Sequence, residues 1–285
     1  MAICPHDTLS LVDGKAKVTG DDSLSCGHCL GDCPEEAITL SGYQKMTQGF
    51  QTLSLQDEPI APGDFNPGSL VQLMASRRSC RHFTKEPVPM ALLEDLVQVG
   101  ITAPSGTNAQ LWSFTLLPDR SSVECFAQSI LDFFKKLNRM AKRAPLRTLL
   151  KWLGKPELSH YHENYFDRIE EGIDCWENQR WDRLFHGAPC AMLVSCKNEA
   201  SCGAEDALLA TGQILLAAHA MDLGTCLVGF AVSAMEREKA IREAVQIPSD
   251  ETVHAVIAMG WPKERYHRPT VRKPVTPRVV RMKET

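Results

Sequence analysis

The sequence predicts a body of mixed helices and strands behind a small cysteine-bearing hairpin. Three observations lead there. Apolar residues recur at helical spacing at Leu70, Leu73 and Met74, and again at Leu92, Leu93, Leu96 and Val97. Short, nearly continuous apolar runs behind turn formers read as buried strands, as in Cys190–Cys196 (CAMLVSC) after Gly187 and Pro189. Ahead of all of these, Cys4, Cys26, Cys29 and Cys33 surround an Asp13-Gly14 turn signal. The length of 285 residues allows one large domain with a small appendage. A hydrophobic content of 44% is enough for a sizeable core. A net charge of −4 offers none of the overall basic character that nucleic acid requires. No apolar run approaches the roughly 18 residues of a membrane span, and the start MAICPHDTLS has neither the basic opening nor the apolar centre of a secretory signal. The expectation is a cytoplasmic protein with neither a nucleic-acid nor a membrane partner. Its 11 cysteines, an odd count, then read as metal ligands plus reduced thiols rather than disulfides.

In residues 1–42, Cys26, Cys29, Cys33 and Pro34 have the spacing C-x2-C-x3-C-P. Soft thiolates at such spacing suit an iron–sulfur cluster. The position three before Cys26 is Ser23, a hydroxyl. Leu9–Val18 reads as two short strands about Asp13-Gly14, a strong hairpin signal. With Cys4-Pro5 upstream, the segment resembles part of a two-cluster bacterial ferredoxin. That resemblance implies that Cys4, Cys26 and Cys29 share one cluster, with Ser23 vacant or a weak ligand. Cys33 would belong to a cluster whose other ligands the chain lacks. The readings left open are one incomplete cluster, none, or a hairpin that only packs on the enzyme. Zinc lacks an evident fourth ligand beyond His6 or His28.

Residues 43–68 carry Pro59, Pro62 and Pro67 with little periodicity and read as a linker. Asn66-Pro67 is an N-cap followed by a first-turn proline. The body, residues 69–285, opens with a helix ending near Ala75. A second helix follows from Val88 to Gly100, stopped by Ala103-Pro104. Ser113–Leu117 reads as a strand and Ser122–Arg139 as helix. In 140–186, Arg143, Arg147, Lys151 and Lys155 alternate with Leu146, Leu149, Leu150 and Leu153. This is an amphipathic helix, read as packed on the body in preference to a membrane surface. The aromatics Tyr161, Tyr165, Phe166, Trp176 and Trp181 read as core or dimer contacts, or as a roof over a pocket. Asp206–Met221 is apolar almost all round and is expected to be buried on every side, ending at Gly224. Thr225–Phe230 and Val253–Met259 read as strands, with Ser233 capping a helix between them. The tail from Pro262 reads as an extended arm.

Two stretches concentrate chemistry. Ala75–Phe83 (ASRRSCRHF) sets Arg77, Arg78 and Arg81 around Ser79. Three guanidiniums this close call for an anion, and the planar fork of Arg matches phosphate oxygens. Ala103–Phe114 (APSGTNAQLWSF) offers Ser105, Asn108, Gln110 and backbone amides that suit a polar ring edge. Cys80, inside the Arg motif, is either a thiol with a lowered pKa or a small buried residue, the latter being favoured.

R-R-S-x-R-x-F followed by A-P-S-x-x-N-x-Q-x-W-x-F resembles the opening of the nitroreductase-like flavoproteins. GAPCAMLV (187–194), DALLATGQILLAAHAMDLG (206–224), TCLVGF (225–230) and MGWPKERYHRPTVRKP (259–274) extend the resemblance over roughly residues 69–275. It implies an α+β fold with an antiparallel-rich sheet flanked by helices, and an intertwined homodimer with two FMN sites. It places the FMN phosphate near Arg77, Ser79 and Arg81, with Arg272 returning to it, and Arg78 stands among the cofactor-binding residues. Backbone amides of Val228 and Gly229 would lie near flavin N5. Pro104, Ser105, Gly106 and Asn108 would reach the flavin from the partner subunit, and Gln110 stands with them among the cofactor-binding residues. The implied activity is FMN-dependent reduction of nitroaromatic or quinone-like small molecules with electrons from NAD(P)H or a ferredoxin, with no catalytic side chain assigned. An electron-transfer protein serving a protein partner, and a flavin-binding or flavin-modifying protein, are the competing readings. No G-x-G-x-x-G or Walker phosphate loop is present.

Overall fold

The computed structural model describes residues 3–282. Leu9–Val12 (β1) and Lys15–Val18 (β2) pair antiparallel, Leu9 opposite Val18 and Val12 opposite Lys15. Asp13 and Gly14 turn with φ of 53° and 73°, the left-handed pair that a tight hairpin turn requires. One helical turn, His28–Gly31 (α1), follows Cys26. Among the described residues, none before Cys80 is buried. Polar tethers hold this segment instead. Gln51 N and Thr52 N each donate to the Asp95 carboxylate at 2.7 Å. Asn108 Nδ2 donates to the carbonyls of Leu24 and Ser25 at 3.0 and 3.1 Å.

Pro67–Ser76 (α2) begins as Asn66-Pro67 predicts, with Asn66 Oδ1 accepting from Ser69 N at 2.9 Å. Met90–Gly100 (α3) starts two residues later than expected, because Pro89 occupies the cap. There follow Trp112–Leu117 (β3), Arg120–Ala141 (α4), Ala144–Trp152 (α5), Glu157–Asn164 (α6) and Phe166–Asn178 (α7). Then come Cys190–Lys197 (β4), Gly203–Ala220 (α8), Gly224–Leu227 (β5), Gly229–Arg237 (α9), Lys239–Ala244 (α10) and Glu251–Gly260 (β6). The expected strand Thr225–Phe230 is shorter than its apolar run, since the chain turns into α9 at Gly229. Ser233 therefore lies inside α9, accepting from Arg237, and is not a cap.

The sheet has order β3-β4-β6-β5 and every pairing is antiparallel. Met192 stands opposite Ile257, and Cys226 opposite Ala258. Side chains alternate between two covered faces. Ala191, Leu193, Val256 and Ala258 join the cluster of α4, α7 and α9. Cys190, Met192, Val194, Ala255, Ile257 and Met259 join that of α3 and α8. Burial on both faces explains why β4 and β6 are almost continuously apolar rather than alternating. The α+β expectation with an antiparallel sheet flanked by helices holds.

Two helices depart from expectation. α8 buries Ala207, Ala210, Thr211, Ile214 and Ala218 on one side only, while Leu208 and Leu209 are about half exposed on the other. α5 buries no residue. Leu146 and Leu150 are half-buried, but Leu149, Trp152 and Leu153 face outward. Of the nearby aromatics, Tyr161 and Trp176 pack against the core and donate hydrogen bonds to Asn138 and Gln128. Tyr165 and Trp181 are exposed.

Candidate cofactor site

The C-terminus of α2 delivers the Arg motif into extended backbone at Arg77. From there the chain runs along the outer side of β5. Ser79 bridges Thr225 in parallel sense, and Cys80 N donates to Thr225 O at 2.8 Å. The path is close-fitting, because a Cβ on Gly224 would lie 2.7 Å from the Cys80 Cβ. Beyond β6 the chain returns to the same motif. Thr84 N donates to Trp261 O, Lys263 N to His82 O, and Thr270 N to Ala75 O. His82 meets Glu264. The tail expected to be a loose arm is thus pinned as far as Thr270; beyond it, Val271, Val275 and Met282 are nearly fully exposed.

These contacts enclose a cavity of about 210 Å³ whose walls include Arg77, Arg78, His219, Thr225, Arg265 and Tyr266. Arg78 is held by two contacts, Nη2 donating to Arg268 O at 3.0 Å and the guanidinium lying 5.3 Å from the Tyr266 ring centre. Its Nη1 is buried with no hydrogen-bond partner, as is Thr225 Oγ1. A buried unpaired cationic donor is costly. It marks a place suited to an anionic oxygen. Burial pushes the His219 imidazole down and Arg77 adds to the effect; the wall also carries two carboxylates, Asp222 paired with Arg265 and Glu264 paired with His82. The residues present therefore fit the phosphate of FMN.

The structure sorts the expected residues. Arg77 and Arg78 line the cavity, and Ser79 is stitched beside it. Arg81 is exposed and does not line it. The Arg272 side chain folds back on its own tail, with Nη1 donating to Thr270 Oγ1 at 2.7 Å and to Val271 O. Val228 N donates to Val256 O at 2.8 Å, inside the protein, so it has no hydrogen to give a ring nitrogen. Gly229 keeps that possibility: it opens α9 and a Cβ there would meet nothing within 4 Å. Cys80 is buried and burial pushes its thiol up, in keeping with the small buried residue favoured from sequence. Thr225, Tyr266 and the Arg268 carbonyl escaped sequence reasoning. Their only signal is the pairing of residues 79–84 with 225 and 261–263, which short-range pattern does not carry.

The second stretch folds as a tight loop. Thr107, Asn108 and Gln110 all have φ between 51° and 56°, a left-handed conformation uncommon away from glycine. Gly106 N donates to buried Asp206 Oδ1 at 2.9 Å. A Cβ on Gly106 would fall 2.9 Å from Ser201 Oγ and 3.2 Å from Cys202 Cβ, so a side chain there would displace its neighbours. Ser105 Oγ accepts from Gln110 N, and Gln110 Nε2 donates to Asn108 Oδ1. The polar groups expected to read a ring edge are engaged within the loop and with Leu24 and Ser25. Pro104 is exposed.

Within one chain the two stretches are not neighbours. The loop leads into β3 at one edge of the sheet, and the Arg motif lies beyond β5 at the other. Three strand spacings, about 14 Å, lie between those edges.

The four N-terminal thiols are likewise not gathered. Among the described residues no three Cys, His, Asp or Glu side chains form a metal-holding group. Cys4 Sγ accepts from Thr8 N at 3.3 Å, and Cys33 Sγ from Ala37 N at 3.4 Å. Each sulfur thus sits in its own turn, while Cys26 and Cys29 flank the start of α1.

A model of the nitroreductase family matches residues 74–261. The chain belongs to that family. Over 189 residues it is 26% identical to an NADH dehydrogenase of Thermus thermophilus, covering 66% of this chain and 84% of the relative. It is 24% identical to a 4-nitrobenzoate reductase of a Nocardioides species, covering 71% and 85%. It is 28% identical to an iodotyrosine deiodinase of Thermotoga neapolitana, covering 70% and 93%. A crystal structure of a nitroreductase with bound FMN from Bacteroides fragilis superposes with a TM-score of 0.54 at 18% identity, covering 75% of this chain and 98% of that one. That last likeness is one of fold. The family match runs from the third turn of α2 to the end of β6 and gives no support to a ferredoxin-like reading of residues 1–42.

Proposed function

We propose that this nitroreductase-family protein is an FMN-dependent oxidoreductase that reduces small planar acceptors, nitroaromatic or quinone-like, with electrons from NAD(P)H. One observation carries the cofactor reading: Arg78 Nη1, buried and unpaired, beside Arg77 in a cavity large enough for a phosphate. Arg77 and Arg78 bind and neutralise that phosphate. Thr225 Oγ1 supplies a neutral donor next to them. Gly229 N–H, at the positive start of α9, is placed to stabilise negative charge. FMN supplies the redox chemistry when bound. No side-chain acid or base is assigned.

The same reading makes the active form a homodimer. The Arg motif and the loop at 104–110 lie at opposite sheet edges, so an arrangement in which both touch one flavin takes each from a different chain. The half-exposed face of α8 and the bare valines after Thr270 are surfaces that such a partner would cover. An NADH dehydrogenase and a nitrobenzoate reductase among the relatives favour a nicotinamide donor. The deiodinase relative makes a halogenated phenol a third acceptor to assay. Ferredoxin as donor, and a cluster on Cys4, Cys26 and Cys29, gain nothing from the separated thiols.

The test is FMN titration of the apoprotein, followed by flavin fluorescence. Arg78→Ala is expected to weaken binding about tenfold to a hundredfold, the range of a lost hydrogen bond to a charged group. Arg81→Ala and Arg272→Ala are expected to weaken it less. A double Arg77→Ala, Arg78→Ala protein with undiminished FMN affinity would overturn the assignment.

A further inference from the structure

We infer that α5 and the end of α4 form a peripheral docking surface for an anionic phospholipid bilayer. This stands apart from the cofactor reading. From Phe133 to Pro156 the chain carries eight Lys or Arg and no Asp or Glu, within a protein of net charge −4. Lys135 and Lys142 are paired with Glu177 and Glu170. Lys136, Arg139, Arg143, Lys151 and Lys155 are exposed and take no ion pair among the described residues. An uncompensated run of this kind raises the local potential against the sign of the whole molecule.

The apolar half of the surface is as distinct. Trp152 is 82% exposed, Leu153 55% and Leu149 50%. Pro145, Leu149 and Trp152 fall four and three residues apart, on one side of the helix, and border a shallow groove with Ala144 and Thr148. Leu146 and Leu150 turn toward the protein, so α5 is fixed to the body by one flank and presents another. An outward tryptophan with leucines, bordered by cations on long flexible stems, has the composition of an interfacial helix: rings and leucines enter the headgroup boundary while Lys and Arg reach the phosphates. A protein partner would accept Trp152 and the arginines, which protein interfaces favour, but not Lys136, Lys151 and Lys155, since lysine is depleted where proteins meet. Among the described residues no helix is long and apolar enough to cross a bilayer, and surface docking needs none.

The experiment is co-sedimentation of the full FMN-loaded chain with phosphatidylglycerol/phosphatidylcholine vesicles and with pure phosphatidylcholine vesicles, at low and high salt. Binding is expected to the anionic vesicles alone and to fall with salt. Trp152→Ser is expected to weaken partition about tenfold, from the loss of a large buried side chain. Arg143→Gln or Lys151→Gln should each weaken it about fivefold. Lipids brominated in the acyl chain should quench the wild-type fluorescence and not that of Trp152→Phe. The inference is overturned if the chain stays in solution, if it binds both vesicle types equally, or if Trp152→Ser binds as well as wild type. A change of oligomeric state in Trp152→Ser by light scattering would assign the face to a second copy and also overturn it.

Discussion

The segment before Asn66 and the body after it are built on different principles. The body has a sheet sealed on both faces, with Leu193, Met192 and Ile257 wholly buried. The N-terminal segment has no buried residue among those described, and it keeps its place through a hairpin, the Asp95 anchor and the Asn108 clamp. The contrast extends to cysteine chemistry. Cys190 is buried between sheet and helix, and burial pushes its thiol up to about 12. In the exposed segment, hydrogen bonding from the backbone around His6 and from Thr8 lowers that of Cys4. The body packs five of its seven thiols away and leaves Cys125 and Cys202 exposed, whereas all four N-terminal thiols are half-buried.

The largest effect that would sharpen the comparison comes from the core. Leu193→Ala is expected to cost about 2–5 kcal/mol, read as a fall in the denaturation midpoint. Removing residues 1–60 should move the body's thermal midpoint by no more than about 2–4 °C. A collapse of the body on that deletion would erase the distinction.

Next comes the Asp95 anchor. Burial pushes the Asp95 carboxyl up, but hydrogen bonds from Thr52 and Gln51 outweigh it and hold it below the usual carboxylate range. A lowered folded pKa means that this docking is fully present above about pH 4 and is lost as pH falls through the folded value. Proteolysis within residues 43–60 should therefore stay slow at neutral pH and rise only below about pH 4. Asp95→Ala should give the fast rate at pH 7, losing about 1–3 kcal/mol locally. Equal rates for wild type and variant at pH 7 would refute the anchor.

Smaller still, Asn108→Ala should release residues 24–25 at about 0.5–1.5 kcal/mol, seen as faster amide exchange there and not in β4. The smallest effect belongs to a Cys26→Ser, Cys29→Ser protein, whose unfolding free energy should change by less than about 0.5 kcal/mol. Iron and sulfide assays on the same preparations bear on the cluster reading directly, since a cluster bound by these thiols would be lost along with substantial stability.

Much of the fold was legible in sequence because its signals are local. Asn66-Pro67 marked a helix start, Asp13-Gly14 a turn, and CAMLVSC a buried strand. What misled was apolar content without direction. TCLVGF reads as strand throughout, yet Gly229 opens a helix. The apolar ring of 206–221 promises burial on all sides, yet only one side has a neighbour within the chain. The site was half legible. Clustered arginines announce an anion, but which of them turns inward depends on contacts with residues 225 and 268. The two chemical stretches lie about 25 residues apart in sequence and at opposite sheet edges in space. That distance comes from strand order, which no short window contains.

The Arg78 contact to the Arg268 carbonyl spans 190 positions of the chain. During synthesis the arginines leave the ribosome well ahead of Thr225, Tyr266 and Arg268. At about 5–20 residues per second, the arginines wait roughly ten to forty seconds for the walls of their cavity. On the cofactor reading proposed above, a chain that has not yet emerged as far as Arg268 lacks the walls of this cavity and has no closed seat for the flavin phosphate.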